Sequence, residues 1–366
     1  MKKIKVVNKE SPIEQMSTMG CRTQNGADIN AVEDYKKNIY SILKSGKLVS
    51  NFKSAAQKDG RGNICPVTII LPTLAMKAKT MCRLPNETDV DAFMFLLAAK
   101  INEARNSLID RFNYICSQSP KAATFMYENG TMEGYIPEEG IRSALKHGTL
   151  AIGQLGLAEA LQILIGKDHT TKEGMELAKR IEQLFKDKCA QYKEQHKLNF
   201  GVYYTPAENL CKTAMTKFKE KYGEIPNVSD KKYFTNSMHV PVYHKCNAFE
   251  KIDIESQLTG YSSAGCITYI ELDSGTVNNI DALEKIVNYA MDKDIPYFAI
   301  NSDNNICNDC GYQETDLYDK CPRCGSKNVE QLKRVTGYLS TDWHNFNEGK
   351  QQEVEMRVKH TGVIVK

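Results

Sequence analysis

Two pairs of cysteines in the C-terminal part of the chain form the clearest chemical pattern in this sequence. Cys307 and Cys310 are one C-x-x-C pair, and Cys321 and Cys324 are a second pair after ten intervening residues. Two such pairs can place four thiolates at the corners of a tetrahedron, the geometry that Zn²⁺ prefers. The spacing predicts a structural zinc site, with a rubredoxin-like iron site and a redox-active dithiol as alternatives.

A zinc ion held by four cysteines has no open position for a substrate, so we expect the metal to brace the chain and not to react. Gly311 and Gly325 follow the two pairs and allow the tight turns that such a site requires. Only nine residues separate Cys324 from Arg334, where the next chemically informative stretch begins. The metal is therefore expected to hold that stretch in place.

Gly337 lies in the hexapeptide Arg-Val-Thr-Gly-Tyr-Leu at positions 334–339. A radical on a backbone carbon needs a planar Cα conjugated with both peptide groups, and a Cβ would crowd that geometry. Glycine alone lacks a Cβ, so Gly337 could store such a radical. From the hexapeptide alone, an ordinary turn glycine is the alternative.

Cys21 is a candidate for nucleophilic chemistry. It lies in the segment Met-Ser-Thr-Met-Gly-Cys-Arg-Thr at 16–23, with Arg22 beside it as a cation that could favour the thiolate. A cysteine with a purely structural role is the alternative.

Polar side chains with hydrogen-bonding capacity cluster in three further places. Asn63 precedes a β-branched run at 67–72, and Glu208 lies in a Tyr-Thr-Pro-Ala-Glu-Asn loop. A third loop offers several hydrogen-bonding side chains within five residues. Those side chains are Thr235, Asn236, Ser237 and His239.

The elements that would position these residues alternate between strands and helices. The run at 67–72 predicts a buried strand, and helical spacing predicts helices over 93–115 and 172–192. The apolar segment 147–166 predicts a core helix that carries one acid, Glu159, which is either a structural carboxylate or substrate-facing. A strand, a helix and a strand follow between 267 and 300, which indicates a mainly parallel α/β sheet or barrel.

Met-Gly-Cys-Arg-Thr, the four cysteines and Arg-Val-x-Gly-Tyr, in this order, resemble the anaerobic (class III) ribonucleoside-triphosphate reductases, which are glycyl radical enzymes. The resemblance implies that Gly337 stores the radical and that Cys21 becomes the thiyl radical that attacks the ribose. It also implies that Asn63 contacts the substrate or the reductant, although Ile70 stands where the family usually has Asn and Cys65 is not expected. Glu208 and the loop at 235–239 correspond to family segments at the mouth of the active site.

The resemblance further implies the fold and the domains. We expect the C-terminal part of a ten-stranded α/β barrel at 1–300, with the loop that carries Cys21 near 16–23 and an insertion at 24–60. A Cys₄ zinc ribbon at 301–333 and a radical loop with a C-terminal tail at 334–366 complete the expected organisation.

The implied reaction is the reduction of ribonucleoside triphosphates with formate as reductant. A separate activase with S-adenosylmethionine and a [4Fe–4S] cluster would generate the radical. Because the resemblance covers only the C-terminal part of a full reductase, we expect a split half that needs an N-terminal partner chain, a truncated product, or an inactive remnant. The assembled enzyme is expected to be a homodimer.

Charge and composition bear on whether the protein binds nucleic acid, spans a membrane or is secreted. The formal charge of +3 in 366 residues does not indicate nucleic-acid binding, and no apolar run is long enough to span a membrane. Eight scattered cysteines and no signal-like N-terminus predict a cytoplasmic protein with reduced thiols. A non-enzymatic zinc-ribbon binding module is the main alternative to an enzyme.

Overall fold

The structure is a computed structural model. It describes residues 18–19, 23–24, 28–30, 62–81, 85–129, 131–132, 134–273, 279–302, 304–314, 318–335 and 337–362. Most of the insertion predicted at 24–60 therefore lies outside the described residues.

The described chain is mixed α/β. Its strands are β1 Thr18–Met19, β2 Thr23–Gln24, β3 Asn63–Ile70, β4 Thr149–Leu155, β5 Asn199–Tyr203, β6 Thr268–Leu272, β7 Phe298–Ser302, β8 Asn304–Cys307, β9 Gln313–Glu314, β10 Val329–Val335 and β11 Tyr338–Ser340. Its α-helices are α1 Leu71–Thr80, α2 Asp89–Cys116, α3 Thr124–Tyr127, α4 Arg142–Leu145, α5 Leu157–Ile165, α6 Lys172–His196, α7 Glu208–Tyr222, α8 Ala248–Thr259, α9 Ile280–Asp292 and α10 Glu348–Met356. Short 3₁₀ turns occupy Pro120–Ala123 and Trp343–Asn345.

Five parallel strands form the framework. Strands β3, β4 and β5 make one parallel sheet, and β6 and β7 make another. A parallel bridge between Tyr203 and Gly265 links the end of β5 to the segment that leads into β6, and the Tyr204 amide donates to the Gly265 carbonyl at 3.0 Å. The strands therefore follow one another in sequence order from β3 to β7.

Helices α1, α2, α5 and α6 cover the first sheet and close the main core. Helix α2 begins at a capping box in which Thr88 and Asp91 bond reciprocally, and it buries Phe93, Leu97 and Phe112. This packing confirms the helices predicted at 93–115 and 172–192, with ends a few residues beyond those limits.

The prediction of one core helix across 147–166 is wrong for its first half. Thr149–Leu155 is strand β4, which pairs with a strand on each side and is buried along its whole length. A strand buried on both faces has no alternation of polar and apolar residues, so it looks like a buried helix in the sequence. The chain changes to helix α5 at Gly156, whose φ of 77° and close approach to Pro72 leave no room for a Cβ.

A second, antiparallel sheet contains the four-cysteine segment, with strand order β11-β10-β8-β9. Gly311 and Gly325 both have positive φ, 69° and 74°, which confirms the tight turns predicted after the two cysteine pairs. Strand β10 runs through the predicted boundary at 333, so the ribbon continues directly into the segment that holds Gly337.

None of the cysteines that the structure describes forms a disulfide. Among the helices that the structure describes, none is long and apolar enough to cross a membrane.

Candidate active site

Gly337 lies at the tip of a β-hairpin. Strands β10 and β11 pair antiparallel, with Val335 opposite Tyr338 and Arg334 opposite Leu339. Gly337 directly precedes Tyr338 and is half-buried. The hairpin presents its glycine at a turn, where a residue without Cβ is tolerated best.

Contacts on both sides of Arg334 hold this hairpin against the parallel strands. The Arg334 guanidinium lies 5.5 Å from the ring centroid of Tyr269 on β6. The Arg334 carbonyl accepts a hydrogen bond of 2.8 Å from Nη1 of Arg357, just beyond helix α10. The Gly337 hairpin is thus fixed to β6 and to the C-terminal tail.

Tyr269 and Arg357, the two residues that contact Arg334, also line a pocket of about 570 Å³, including its open mouth. Thr235, Asn236 and His239 line it from one side, and Glu271 and Arg357 line it from the other. Three of the four donors predicted in the 235–239 loop therefore meet in one cavity with the residues that hold the hairpin.

The loop of Thr235 lies at the carboxyl end of strand β4. The Gly156 amide, directly after β4, donates to the Thr235 carbonyl at 3.0 Å. Ligands of open parallel sheets bind at this end of the strands. The position agrees with a substrate-binding role for the loop.

Glu159 accepts two hydrogen bonds from Thr235. Its Oε1 accepts from the Thr235 amide at 2.8 Å and from the Thr235 hydroxyl at 2.7 Å. Burial raises the pKa of Glu159, although the two hydrogen bonds from Thr235 oppose the shift. Of the alternatives for Glu159, the structure thus shows a carboxylate that orders the loop.

The two polar loops predicted separately are joined. The Asn236 side-chain amide donates to the Pro206 carbonyl, two residues before Glu208. Glu208 is half-buried in the first turn of α7, and Ser237 is fully buried, with its hydroxyl donating to the Asn236 side chain at 3.3 Å. These residues have internal partners, and their role as direct substrate contacts stays a prediction.

His239 belongs to a buried ionic group. Its Nδ1 lies 3.3 Å from Oε1 of Glu255, and the Lys251 amine contacts the same oxygen. Burial by itself would raise the pKa of Glu255, but Lys251 and then His239 outweigh it and hold that pKa well below the usual range. Glu255 is therefore ionised and anchors His239 at the pocket wall.

The second ionic group is centred on Arg357. Its guanidinium lies 3.2 Å from Glu271 and 3.4 Å from Glu353, and Lys350 contacts Glu353 at 2.6 Å. Burial would raise the pKa of Glu353, but Lys350 and then Arg357 hold it low. In this group two cations thus face two carboxylates.

Asn63 lies far from this pocket. It begins β3 and pairs with Thr149 at the amino end of the sheet, whereas the pocket lies at the carboxyl end. The eight residues of β3 span about 23 Å between its two ends. Asn63 donates from Nδ2 to the Ala264 carbonyl at 3.1 Å, so the structure does not bring it to the 235–239 loop.

Cys21 lies outside the described residues. The strands on either side of it, β1 and β2, pair antiparallel, with Met19 opposite Thr23. Seven residues after Cys21, Asp28 is buried against His147 and Asn199 at the amino end of the parallel sheet. The chain is therefore fixed close in sequence to Cys21, at the edge where Asn63 lies.

The four predicted metal ligands meet in space. The sulfur atoms of Cys307, Cys310, Cys321 and Cys324 all lie within 4.8 Å of one another. The Cys307–Cys324 and Cys310–Cys321 sulfurs are each 3.6 Å apart. Zinc–sulfur bonds of about 2.3 Å in a tetrahedron place the sulfurs about 3.8 Å apart, so the four thiols fit a zinc ion.

Sequence reasoning missed the ionic residues around Arg357. The sequence analysis assigned no role to Arg357, Glu271 or Glu353. One signal was available: Glu271 is an acid inside a strand that is otherwise largely apolar, and such an acid needs a buried partner.

The comparisons with known proteins decide the family. The family model described as anaerobic ribonucleoside-triphosphate reductase matches residues 2–360. This chain belongs to that family.

Curated reductases of the family align with most of the chain. The anaerobic ribonucleoside-triphosphate reductase of Salmonella typhimurium (strain LT2) is 31% identical over 321 residues, covering 83% of this chain and 43% of the relative. The enzyme of that name from Enterobacteria phage T4 is 30% identical over 313 residues, covering 82% and 49%. The chain spans less than half the length of these relatives.

Solved reductases share the fold. A structure named anaerobic ribonucleotide reductase superposes with a TM-score of 0.67 at 21% identity, over 83% of this chain and 46% of that one. The Thermotoga maritima reductase in complex with dATP and CTP gives a TM-score of 0.58 at 20% identity, over 81% and 45%. These similarities support the mixed α/β fold of the reductase family for this chain.

Proposed function

We propose that this chain is the radical-storing portion of an anaerobic reductase that converts ribonucleoside triphosphates to deoxyribonucleoside triphosphates. The observation that carries the proposal is the position of Gly337, on a hairpin fixed beside a pocket in a chain whose family match runs from residue 2 to 360. The hairpin is linked to the pocket through Tyr269 and Arg357, which line the cavity and contact Arg334.

Gly337 and Cys21 divide the radical chemistry between them. An activase that uses S-adenosylmethionine and a [4Fe–4S] cluster removes one Cα hydrogen from Gly337. The Gly337 radical then takes the thiol hydrogen of Cys21, and the resulting thiyl radical takes the 3′ hydrogen of the ribose. Each transfer moves one hydrogen atom and leaves one unpaired electron on its donor.

Formate supplies the two electrons for the reduction. The ribonucleotide, formate and one proton give the deoxyribonucleotide, carbon dioxide and water, so the 2′ oxygen leaves as water. Asn63, at the amino end of β3, remains the candidate residue for contacting the substrate or the reductant.

The pocket beside Gly337 suits sugar hydroxyls better than a triphosphate. Lys251 and Arg357 are each paired with buried carboxylates there, which leaves no cationic excess for a polyanion. The polar surface from Thr235, Asn236 and His239 matches hydroxyl groups. The pocket therefore suits a hydroxyl-bearing ligand better than a polyanion.

Zinc is the metal that fits the four-cysteine site. Cys307, Cys310, Cys321 and Cys324 would hold it, and the bound ion would cross-link the turns next to β8 and β10. Because β10 runs directly into the Gly337 hairpin, the site would set the position of the hairpin base.

Activity requires further strands beside the five parallel ones. Among the described strands, β3 and β7 pair on one side only, and a ten-stranded barrel would close on these two edges. We propose that a separate N-terminal reductase chain supplies the other strands and that the assembled enzyme is a homodimer. A cytoplasmic location agrees with the free thiols of the described cysteines.

Electron paramagnetic resonance of the anaerobic chain, treated with a class III activase and S-adenosylmethionine in the presence and in the absence of an N-terminal reductase chain, tests the proposal. We expect a doublet that disappears in air and is absent from Gly337→Ala. Gly260→Ala is the matched control, because Gly260 has a φ of −67° and open space around its Cα. A spectrum without a radical, with zinc bound and the fold intact, would overturn the proposal.

A further inference from the structure

At the end of strand β10, a side chain contacts the edge on which strand β8 would lie if it were longer. Strand β8 pairs with β10 only as far as Leu332, whereas β11 pairs with residues 333–335 on the other side. The last three residues of β10 therefore have one described strand partner. They are also the residues that lead directly to Gly337.

Hydrogen bonds alternate along an antiparallel pair, and this alternation points the Arg334 carbonyl to the edge of β10 that has no described strand partner. Val335 and Tyr338 close the hairpin and form its first hydrogen-bonded pair, so Arg334 and Leu339 form the next, non-hydrogen-bonded pair. The carbonyl of a residue in such a pair points away from its partner strand. Arg357 Nη1 donates to this carbonyl at 2.8 Å, in the place of a strand amide.

Arg357 is itself held in a fixed orientation. Its side chain is 12% exposed, and the carboxylates of Glu271 and Glu353 lie 3.2 Å and 3.4 Å from its terminal nitrogens. A planar guanidinium can serve two carboxylates and a carbonyl at once in one geometry, which an amine cannot. The contact with Arg334 is therefore pre-organised.

The tail that carries Arg357 is bound to the parallel strands. The His360 amide donates to the Glu271 carbonyl at 2.7 Å, and the Glu271 amide donates back to Nδ1 of His360 at 2.8 Å. The Val358 amide donates to the Val242 carbonyl at 2.9 Å. Residues 357–360, which we call the tail strap, thus join strand β6 and Val242 of the pocket lining to the Gly337 hairpin.

We propose that Arg357 is the positioning residue of the stored radical: through the Arg334 carbonyl it fastens the Gly337 hairpin to β6. The inference rests on the proposed radical at Gly337, but the fastening itself can be measured without a radical. Loss of the fastening would let the hairpin leave the pocket and expose Gly337 to oxygen.

Hydrogen exchange of the unactivated full chain tests the fastening. In Arg357→Met we expect the amides of Gly337 to Ser340 to exchange about tenfold faster, equivalent to about 1.4 kcal/mol. Amides of α6 and of residues 329–332 should keep their protection. Arg357→Lys should give an intermediate rate, because one amine replaces the planar fork.

A matched substitution separates the fastening from a general loss of arginine. Arg105 lies over the ring of Tyr192 on α6 and bonds to Asn106, away from the hairpin. Arg105→Met should leave the exchange of the hairpin unchanged. Glu271→Gln, which keeps the shape of the side chain and removes the charge that orients Arg357, should accelerate the exchange in the same direction.

The activated enzyme then tests the positioning role. With a radical formed, we expect the doublet of Arg357→Met to decay about tenfold faster in air than that of wild type, and Arg357→Lys to recover part of its lifetime. Unchanged hairpin exchange in Arg357→Met would overturn the inference. Faster exchange with an unchanged radical lifetime would also overturn it, by leaving Arg357 with a structural role only.

The two proposals fail in different ways. If wild type forms no radical under activation, the proposed function fails, and the exchange of the hairpin in Arg357→Met alone decides whether the tail strap holds it. If wild type forms the radical and the variants match it in both measurements, only the inference about Arg357 fails.

Discussion

Asp28 Oδ2 lies 2.6 Å from His147 Nδ1, and this buried pair joins two positions 119 residues apart in the sequence. Both side chains are almost fully buried, and Asn199 at the start of β5 donates to the other oxygen of Asp28 at 2.8 Å. The pair fixes the chain that follows Cys21 to the amino end of the parallel sheet.

We predict that Asp28→Ala lowers the free energy of unfolding by about 3 kcal/mol, because it leaves His147 and Asn199 without their shared acceptor inside the protein. Urea denaturation measures the change. Asn30→Ala is the control: it removes a bond of 2.7 Å to the Lys146 carbonyl at a more exposed position and should cost about 1 kcal/mol. Equal losses in the two variants would contradict the central role of Asp28.

The four-cysteine site should bind about one zinc ion per chain and lose it in Cys321→Ser. The expected structural result is faster hydrogen exchange across β8, β9 and β10, while α2 and α6 stay protected because their apolar core lies apart from the site. Elemental analysis measures the zinc content, and hydrogen exchange measures the protection of the strands and helices. Cys116→Ser, at a half-buried position outside the cluster, should retain the metal; iron in place of zinc would refute the metal assignment.

The tail strap should weaken in mild acid because of His360. Burial first, and Lys251 next, lower the pKa of His360 from 6.5 to about 3. Between these values the unfolded chain binds a proton that the folded chain does not, so stability falls as pH decreases below 6.5. The slope is up to about 1.4 kcal/mol per pH unit.

His360→Asn removes this titration and keeps an acceptor for the Glu271 amide. We expect the stability difference between wild type and His360→Asn, measured by urea denaturation, to shrink steadily from pH 6.5 to pH 5. His196→Asn, at the exposed end of α6, is the control and should show no such trend. If the stability difference between wild type and His360→Asn stays constant with pH, the fold does not keep the imidazole of His360 neutral in the wild type.

Glu182 should have the opposite pH dependence. It is fully buried and accepts from Gln154 at 2.8 Å, and burial raises its pKa from 4.5 to about 8. Between these values the folded chain binds the extra proton, so this group makes the protein less stable as pH rises. Glu182→Gln should therefore gain stability relative to wild type from pH 5 to pH 8, whereas exposed Glu194→Gln should not. Parallel curves for Glu182→Gln and wild type would rule the effect out.

Local patterns predicted several elements correctly. The helices at 93–115 and 172–192 and the strand–helix–strand unit between 267 and 300 are present, with ends shifted by a few residues. Helical spacing and cysteine spacing act over a few residues, so their signal survives without knowledge of the fold. Strand β4 was missed because a strand buried on both faces carries no alternation.

Some residues of the candidate site could likewise be found from the sequence, and others could not. Thr235, Asn236 and His239 were found as a cluster because they are neighbours in sequence, and they share one pocket. Glu271, Glu353 and Arg357 were not found, because each is an ordinary charged residue until the others are placed around it.

The sequence by itself predicted the four cysteines that meet in space and the order of most helices and strands, because each depends on residue types at short, regular spacing. Only the tertiary structure decided that Arg357 bonds to Arg334, that Asp28 meets His147, and that Asn63 and Thr235 lie at opposite ends of the sheet. Contacts between residues far apart in the chain depend on how sheets and helices pack, and that packing is a property of the whole fold and not of any one segment.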